Sequence, residues 1–488
     1  VVHFLKSFFR SRLVALILAF AGLPPTHAAE SVHSSLPTLG DHTSGIVSLE
    51  QEYALGQSFL RMLRAQAPLL HDPLMQEYLE HLIYHLASHS SLQDRRISLA
   101  IINDATINAF AVPGGVIGVN LGLFLNGETE SEISAILAHE IAHISQRHFA
   151  RRTEASRKAS VASIAGLLAG VVLLATTGSE AGLATISASR GLAQSELLRY
   201  SRSREKEADL VGIDTLAAAG LDPNAMAYMF ERLNRAQRFS GRNIPEFLLT
   251  HPVTKDRISD SYAKSTKLPT PDLETSLDYQ LMRTRAMVIS NKNSAASVAQ
   301  MRAAQQDTDP VKVTAATYGL ALAQTRADQY DAAMQTILGL QASHPGKLAF
   351  ILAEAELHLA AFRYQDARDL LAEALQVTPG NYPLSMMYAD ALLKSGEPRQ
   401  AASVLENLSQ ERPQDHLVWY HLAEARGLAD DIIGVHEARA EYFVRVGNFD
   451  QAIKQLSFAT PLVRSNFQQS ARIKQRIEEI FELKASNS

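Results

Sequence analysis

Between residues 46 and 93 the apolar positions recur at helical spacing: Leu55, Phe59, Met62 and Leu63, then Leu79, Leu82, Ile83 and Leu86. Steps of three and four put each set on one face, which predicts two amphipathic helices. The pattern then shortens. Residues 97–102 read as a strand, and residues 109–119 alternate on either side of Pro113-Gly114-Gly115, a turn signal between two more strands of a small hairpin or meander. Helical spacing returns at Ile133, Ile136, Leu137, Ile141 and Ile144, after Thr129 and Glu132 at capping-box spacing.

Beyond residue 310 a longer period appears. Pro345, Pro379 and Pro413 are 34 residues apart, as are Ala321, Ala355, Ala389 and Ala423, and as are Ala333, Ala367 and Ala401. Small residues where helices approach closely, and a proline where the second helix ends, predict stacked helical hairpins of the tetratricopeptide kind. Tyr330 and Tyr364 keep this register. After Trp419 it slips, because Ala452 in Gly447-Asn448-Phe449-Asp450-Gln451-Ala452 lies 51 residues beyond Ala401, and an extra helix is expected there.

A chain of 488 residues exceeds what one core serves. Four segments are expected: an export signal at 1–28, a catalytic domain at 29–262, a helical connector at 263–309 and the repeats at 310–488. The signal rests on Lys6, Arg10 and Arg12 ahead of the apolar run 13–23, with Pro24-Pro25-Thr26-His27-Ala28-Ala29 following. Eleven apolar residues fall well short of the roughly 20 that span a bilayer, so removal after Ala28 is expected. With 46% hydrophobic and 20% charged residues, both halves should fold. The net charge of -5, with no basic cluster interleaved with aromatics, gives a nucleic-acid role no support. Cysteine is absent, so any metal must be held by His, Asp and Glu.

His139-Glu140-Ile141-Ala142-His143 supplies such ligands. On a helix the i, i+4 spacing brings both imidazoles to one face to share one Zn2+, with Glu140 placed to take a proton from an activated water that attacks a peptide carbonyl. A surface helix with two solvated histidines is the bland alternative, weakened by the apolar residues around the motif. A third ligand is needed. A third histidine six residues on would require a glycine midway, and Gln146 and Phe149 stand at those positions, which excludes that class. The other candidate is a carboxylate of Ser201-Arg202-Ser203-Arg204-Glu205-Lys206-Glu207-Ala208-Asp209.

HExxH followed by SRxxExxAD resembles the gluzincin family that includes the CAAX prenyl endopeptidase, HtpX and Oma-type peptidases. The resemblance implies Glu205 as third zinc ligand. Glu207, about 200° around the helix from Glu205, cannot face the same metal. Asp209 shares the Glu205 face, and the resemblance implies that it orients a ligand histidine. Asn108-Ala109-Phe110 and the strand ending at Asn120 look like the family's active-site edge strand, where substrate backbone would pair; an ordinary core hairpin is the alternative. His251-Pro252 with Arg257 resembles the family's pair near the catalytic water, stabilising an oxyanion, while His251 alternatively binds zinc and keeps the enzyme latent. His148, five residues from His143, is expected on another helix face in a structural or solvated role.

The apolar run 161–175 is shorter than a membrane span and is expected to be a core helix or hydrophobic lid, with a mobile loop at 176–195 gating the cleft. The fold expected is mainly α with a small β-sheet: a zincin-like metalloprotease domain followed by an α-solenoid. Together with the signal, the pattern resembles the periplasmic β-barrel assembly-enhancing protease type. That resemblance implies one zinc per chain, protein substrates among outer-membrane β-barrel proteins, and repeats docked to the outer-membrane assembly machinery, with peripheral membrane contact left open. A chaperone or adaptor acting through its repeats is the rival, because repeat solenoids are interaction surfaces by default.

Overall fold

The computed structural model describes residues 47–155, 202–239 and 246–486. The expected export signal, the apolar run 161–175 and its neighbouring loop lie outside the described residues. Labels below number the described elements.

Helix α1 (Leu49–Gln66) starts at a reciprocal capping box between Ser48 and Gln51. Helix α2 (Pro73–Ser88) starts at Asp72, whose carboxylate accepts from the Met75 amide. Phe59 and Leu63 on α1, and Leu79, Leu82, Ile83 and Leu86 on α2, are buried, as their spacing predicts. Strands β1 (Ser98–Ile102), β2 (Ala109–Val112) and β3 (Val116–Asn120) form one sheet in the order β1-β3-β2. The expected hairpin pairs antiparallel, and β1 joins the far side of β3 in parallel. Its turn needs Gly114 and Gly115 at φ 78° and 79°, and a Cβ on Gly114 would also lie 2.4 Å from the Glu52 carbonyl of α1.

After the short α3 (Gly122–Asn126), helix α4 (Glu130–Ser145) carries the HExxH residues. Thr129 caps it by accepting from the Glu132 amide, but the box is not reciprocal. The Glu132 carboxylate instead takes the Glu128 amide and pairs with Arg232. Every residue from Ser131 to His143 is buried, so α4 is the central helix and not an amphipathic surface one. Strand β2 and helices α2, α6 (Arg202–Ala218) and α7 (Ala225–Phe239) pack around it. Helix α6 approaches closely at Gly212, where a Cβ would lie 3.2 Å from the His139 backbone nitrogen. Between α4 and α5 (His148–Ala155), Arg147 takes the left-handed conformation at φ 48°. Helices α8 (Glu246–Thr250) and α9 (Lys255–Ser265) complete the N-terminal half.

The expected connector holds two helices, α10 (Leu277–Ser290) and α11 (Ser294–Ala304), both packed on α12 (Pro310–Arg326). Tyr279 of α10 reaches back to donate to the Gly127 carbonyl. Hairpins follow: α12 with α13 (Tyr330–Ser343), α14 (Leu348–Ala360) with α15 (Tyr364–Val377), and α16 (Tyr382–Lys394) with α17 (Pro398–Glu411). Ala321, Ala355, Ala389, Ala333, Ala367 and Ala401 are all buried between these helices. A further ladder lies in the backbone: Asp328, Phe362, Gly396 and Asp430 all have positive φ at the same 34-residue step. Unlike residue types at these positions hide it from the sequence. Two helices, α18 (His416–Leu428) and α19 (Ile432–Arg445), lie between α17 and α20 (Phe449–Ala459), which accounts for the longer step to Ala452. Helix α21 (Phe467–Ser486) closes the array.

The apolar core does not stop at the expected boundary. One cluster runs from Leu74 and Ile136 through Tyr279 and Tyr318 to Leu384. Buried Arg285 ties Asp72 at 2.6 Å to Glu356 at 2.5 Å and also donates to the Tyr318 hydroxyl. Arg412 pairs with Glu80 at 2.7 Å. Beside this pair a cavity of about 340 Å³ opens between β1, the loop before α2 and the loop before α18. Among the described residues no helix is long and apolar enough to cross a membrane.

Candidate metal centre

Helix α4 brings His139 and His143 one turn apart, with Nε2 atoms 3.0 Å from each other. Helix α6 delivers Glu205, whose carboxylate oxygens lie 3.7 Å from His139 Nε2 and 3.5 Å from His143 Nε2. His251, just beyond α8, places Nδ1 at 3.1 Å from Glu205 and 3.3 Å from His139 Nε2. All four side chains are buried, and their candidate donor atoms lie within 4.8 Å of one another. Zinc bonded to nitrogen and oxygen at about 2.0–2.1 Å in a tetrahedron would separate neighbouring donors by roughly 3.3 Å, so these residues fit a tetrahedral cation.

Glu140 projects beside this group, with Oε1 at 3.5 Å from His251 Nε2. Burial raises the pKa of its carboxyl, against the pull of His251 and His139. The Ala111 amide of β2 donates to this carboxylate, while Oε1 has no hydrogen-bond partner among the described residues. Burial also pushes up Glu205, yet His251, His139 and Arg257 together hold it down at about 2, in the anionic form a cation needs. Burial keeps His143 well below its ordinary value, which favours the neutral ring that a metal ligand needs.

Asp209 Oδ1 lies 2.9 Å from His139 Nδ1, the ring nitrogen facing away from the donor group. Arg257 makes a two-pronged pair with Asp209 at 2.7 Å through each prong, contacts Glu205 at 2.9 Å and donates to the Pro252 carbonyl. Its guanidinium also stacks over Phe230. The sequence suggests an oxyanion partner at Arg257; the structure gives its donors to Asp209, Glu205 and the Pro252 carbonyl.

Of Asn108, Ala109 and Phe110, only Ala109 turns its backbone groups away from β3 toward the outer edge of the sheet, where the residue is wholly buried. The Asn108 carbonyl accepts from Asn120, and antiparallel alternation turns Phe110 toward β3 as well. The Phe110 ring packs over Gly118 and meets Phe59 edge-on. Ala111, absent from the sequence reading, is the second edge residue.

His148 is structural, as one of its two expected roles has it, but it does not lie on the expected face. It is fully buried, with Nδ1 2.8 Å from His143 Nδ1 and Nε2 3.2 Å from Glu207. Another face would follow only if α4 continued through residue 148. The left-handed turn at Arg147 ends the helix and swings His148 back, and arginine at that position carries no signal for such a turn.

The Peptidase family M48 profile matches residues 73–263, and a tetratricopeptide repeat profile matches residues 358–425. A putative beta-barrel assembly-enhancing protease of Vibrio cholerae is 34% identical over 475 residues, covering 97% of both chains. The beta-barrel assembly-enhancing protease of Escherichia coli K12 is 30% identical over 477 residues, again 97% of both. The mitochondrial metalloendopeptidase OMA1 of Schizosaccharomyces pombe is 30% identical over 219 residues, 43% of this chain and 60% of that one. Similarity over nearly the whole length of both chains, joined to a donor group built on an HExxH helix, makes this chain a member of the beta-barrel assembly-enhancing protease family, metalloendopeptidases of the M48 kind with tetratricopeptide repeats.

Proposed function

We propose that the chain is a zinc endopeptidase of the bacterial envelope that cleaves outer-membrane β-barrel proteins stalled or misfolded during assembly, while its repeats dock the assembly machinery or the clients. The relatives' names speak for barrel assembly, and the expected export signal speaks for the periplasm. The observation that carries the hydrolytic reading is the set of donor separations among His139, His143, Glu205 and His251, from 3.0 Å between the two Nε2 atoms of the helix to 3.7 Å between His139 and Glu205, with a Glu140 oxygen beside them that has no hydrogen-bond partner among the described residues.

In this reading His139, His143 and Glu205 hold the ion, which supplies Lewis acidity and an activated water. Glu140 takes the proton of the attacking water and returns it to the leaving amine. Asp209 and Arg257 hold His139 and Glu205 in place. The outer edge of β2, through Ala109 and the Ala111 carbonyl, would pair an extended substrate once that edge is uncovered, beside the Glu140 carboxylate that holds the Ala111 amide. His251 would supply a fourth donor to the ion in the conformation described, which supports latency over oxyanion stabilisation. Exposed Leu428, Ile432 and Phe467 on the last repeats support a second reading, in which binding through the array is the essential role and cleavage is secondary.

Glu140→Gln tests the assignment. Peptide hydrolysis should fall by about 10²-fold or more while one zinc per chain remains bound. Unchanged hydrolysis would remove Glu140 from the chemistry, and full biological function without hydrolysis would favour the adaptor.

A further inference from the structure

The two imidazoles expected to bind the ion are supported differently. His139 Nδ1 faces a carboxylate, Asp209, directly. His143 Nδ1 faces another imidazole, His148, and it is this ring that meets a carboxylate, Glu207. Arg151 in turn pairs with both oxygens of Glu207 at 3.0 and 3.1 Å.

We propose that His148 and Glu207 are positioning residues for His143: a carboxylate–imidazole–imidazole chain that fixes the ring angle and tautomer of the second metal ligand. The proposal rests on the metal-centre reading above. Its logic is a matter of hydrogen count. If His143 ligates through Nε2, its proton resides on Nδ1 and must be donated. An acceptor within reach is Nδ1 of His148, 2.8 Å away, which then carries its own proton on Nε2. That proton points to the Glu207 carboxylate at 3.2 Å, an acceptor only. Every donor in the chain meets an acceptor in a single arrangement of protons, and that arrangement leaves the lone pair of His143 Nε2 for the ion. No proton changes hands.

Glu207 thereby receives a role from its rotation away from Glu205. The same helix, α6, sends Glu205 and Asp209 to the ion and to His139 from one face, and Glu207 to the support of His143 from another. The left-handed Arg147 makes the arrangement reachable by returning His148 over the last turn of α4. Arg147 is held by Glu52 at 3.3 Å and by the Val47 carbonyl at 2.6 Å, so α1 sets the position of the turn.

Zinc itself is the probe, titrated into metal-free full-length chain against a competing chelator. Glu207 is about one third exposed, so its substitution leaves a folded protein for measurement. Glu207→Ala and His148→Phe should each weaken zinc by about 10–100-fold. Glu207→Gln should recover most of the affinity, since the amide oxygen still accepts from His148. Arg151→Ala, which breaks the same ion pair from the other side, should stay within about threefold of wild type, well short of that loss. Cobalt substituted for zinc should show a shifted visible absorption band in Glu207→Ala and a wild-type band in Arg151→Ala. Wild-type zinc affinity in Glu207→Ala overturns the proposal. So does an equal loss in Arg151→Ala, or a melting temperature of the metal-free protein lowered as much as that of the loaded one, since either marks a plain tie between helices. Glu205→Gln separates the two levels: if it loses zinc while Glu207→Ala does not, only the supporting chain fails; if it also keeps zinc, the centre is elsewhere and both readings fail.

Discussion

Glu205 and Glu207 stand two positions apart on one helix, and the structure sends one to the paired histidines and the other to His148 and Arg151. That separation was legible, because a rotation of 100° per residue is enough to place the two carboxylates on different faces. His148 was not legible, since its position depends on where α4 stops, and no glycine or asparagine marks the stop. The bearing of Arg257 was legible only as proximity: the family resemblance put it near the centre, and geometry shows what it grips. His251 yields a prediction at this scale. With its ring removed, three donors and an open fourth position remain, so His251→Ala should raise basal proteolysis several-fold with zinc retained. A fall in rate, measured on an unfolded protein substrate, would assign the ring to the oxyanion instead.

At the scale of elements, the central fact is that α4 is buried on all sides and can keep its ligands aligned only if its neighbours come close. Gly212 of α6 permits this. A glycine inside a helix costs about 1 kcal/mol against alanine, a cost that close approach to the His139 backbone offsets. Gly212→Val should therefore push α6 from α4, reduce stability by about 1–3 kcal/mol and weaken metal binding, because Glu205 and His139 ride on the two helices. Urea unfolding and zinc titration of the variant would check both; an intact centre in this variant would mean the helices adjust independently. The two strands of the hairpin were legible from alternation and the Pro-Gly-Gly turn. The parallel seat of β1 was not, since period-two patterning states which faces are buried and nothing about partner order.

At the scale of the whole chain, the 34-residue ladders made the repeats legible, while the joining of the two halves was invisible because it depends on single side chains far apart in sequence. Arg285 is the clearest. Replacing it with methionine strands buried Asp72 and leaves Glu356 unpaired, and should cost about 3 kcal/mol. A loss under about 1 kcal/mol by urea unfolding would class the contact with surface ion pairs. The same junction should respond to acid. Burial holds His416 down at about 3, with Arg64 adding to the effect and Asp415 opposing it, and burial also lowers His71. The folded chain then binds fewer protons there than the unfolded chain, whose histidines titrate near 6.5. This contribution is present in full above pH 6.5 and shrinks as pH falls toward 3. His416→Asn should flatten the decline of unfolding free energy between about pH 6.5 and 5, and an unchanged slope would place the acid response elsewhere.

Both halves matter only if the ligands on α4 and α6 converge on one cation. Elemental analysis of the purified chain, wild type beside Glu205→Gln, measures this most directly. The account predicts about one zinc per wild-type chain and its loss from the variant on dialysis against a chelator. One equivalent retained equally by both proteins would contradict it.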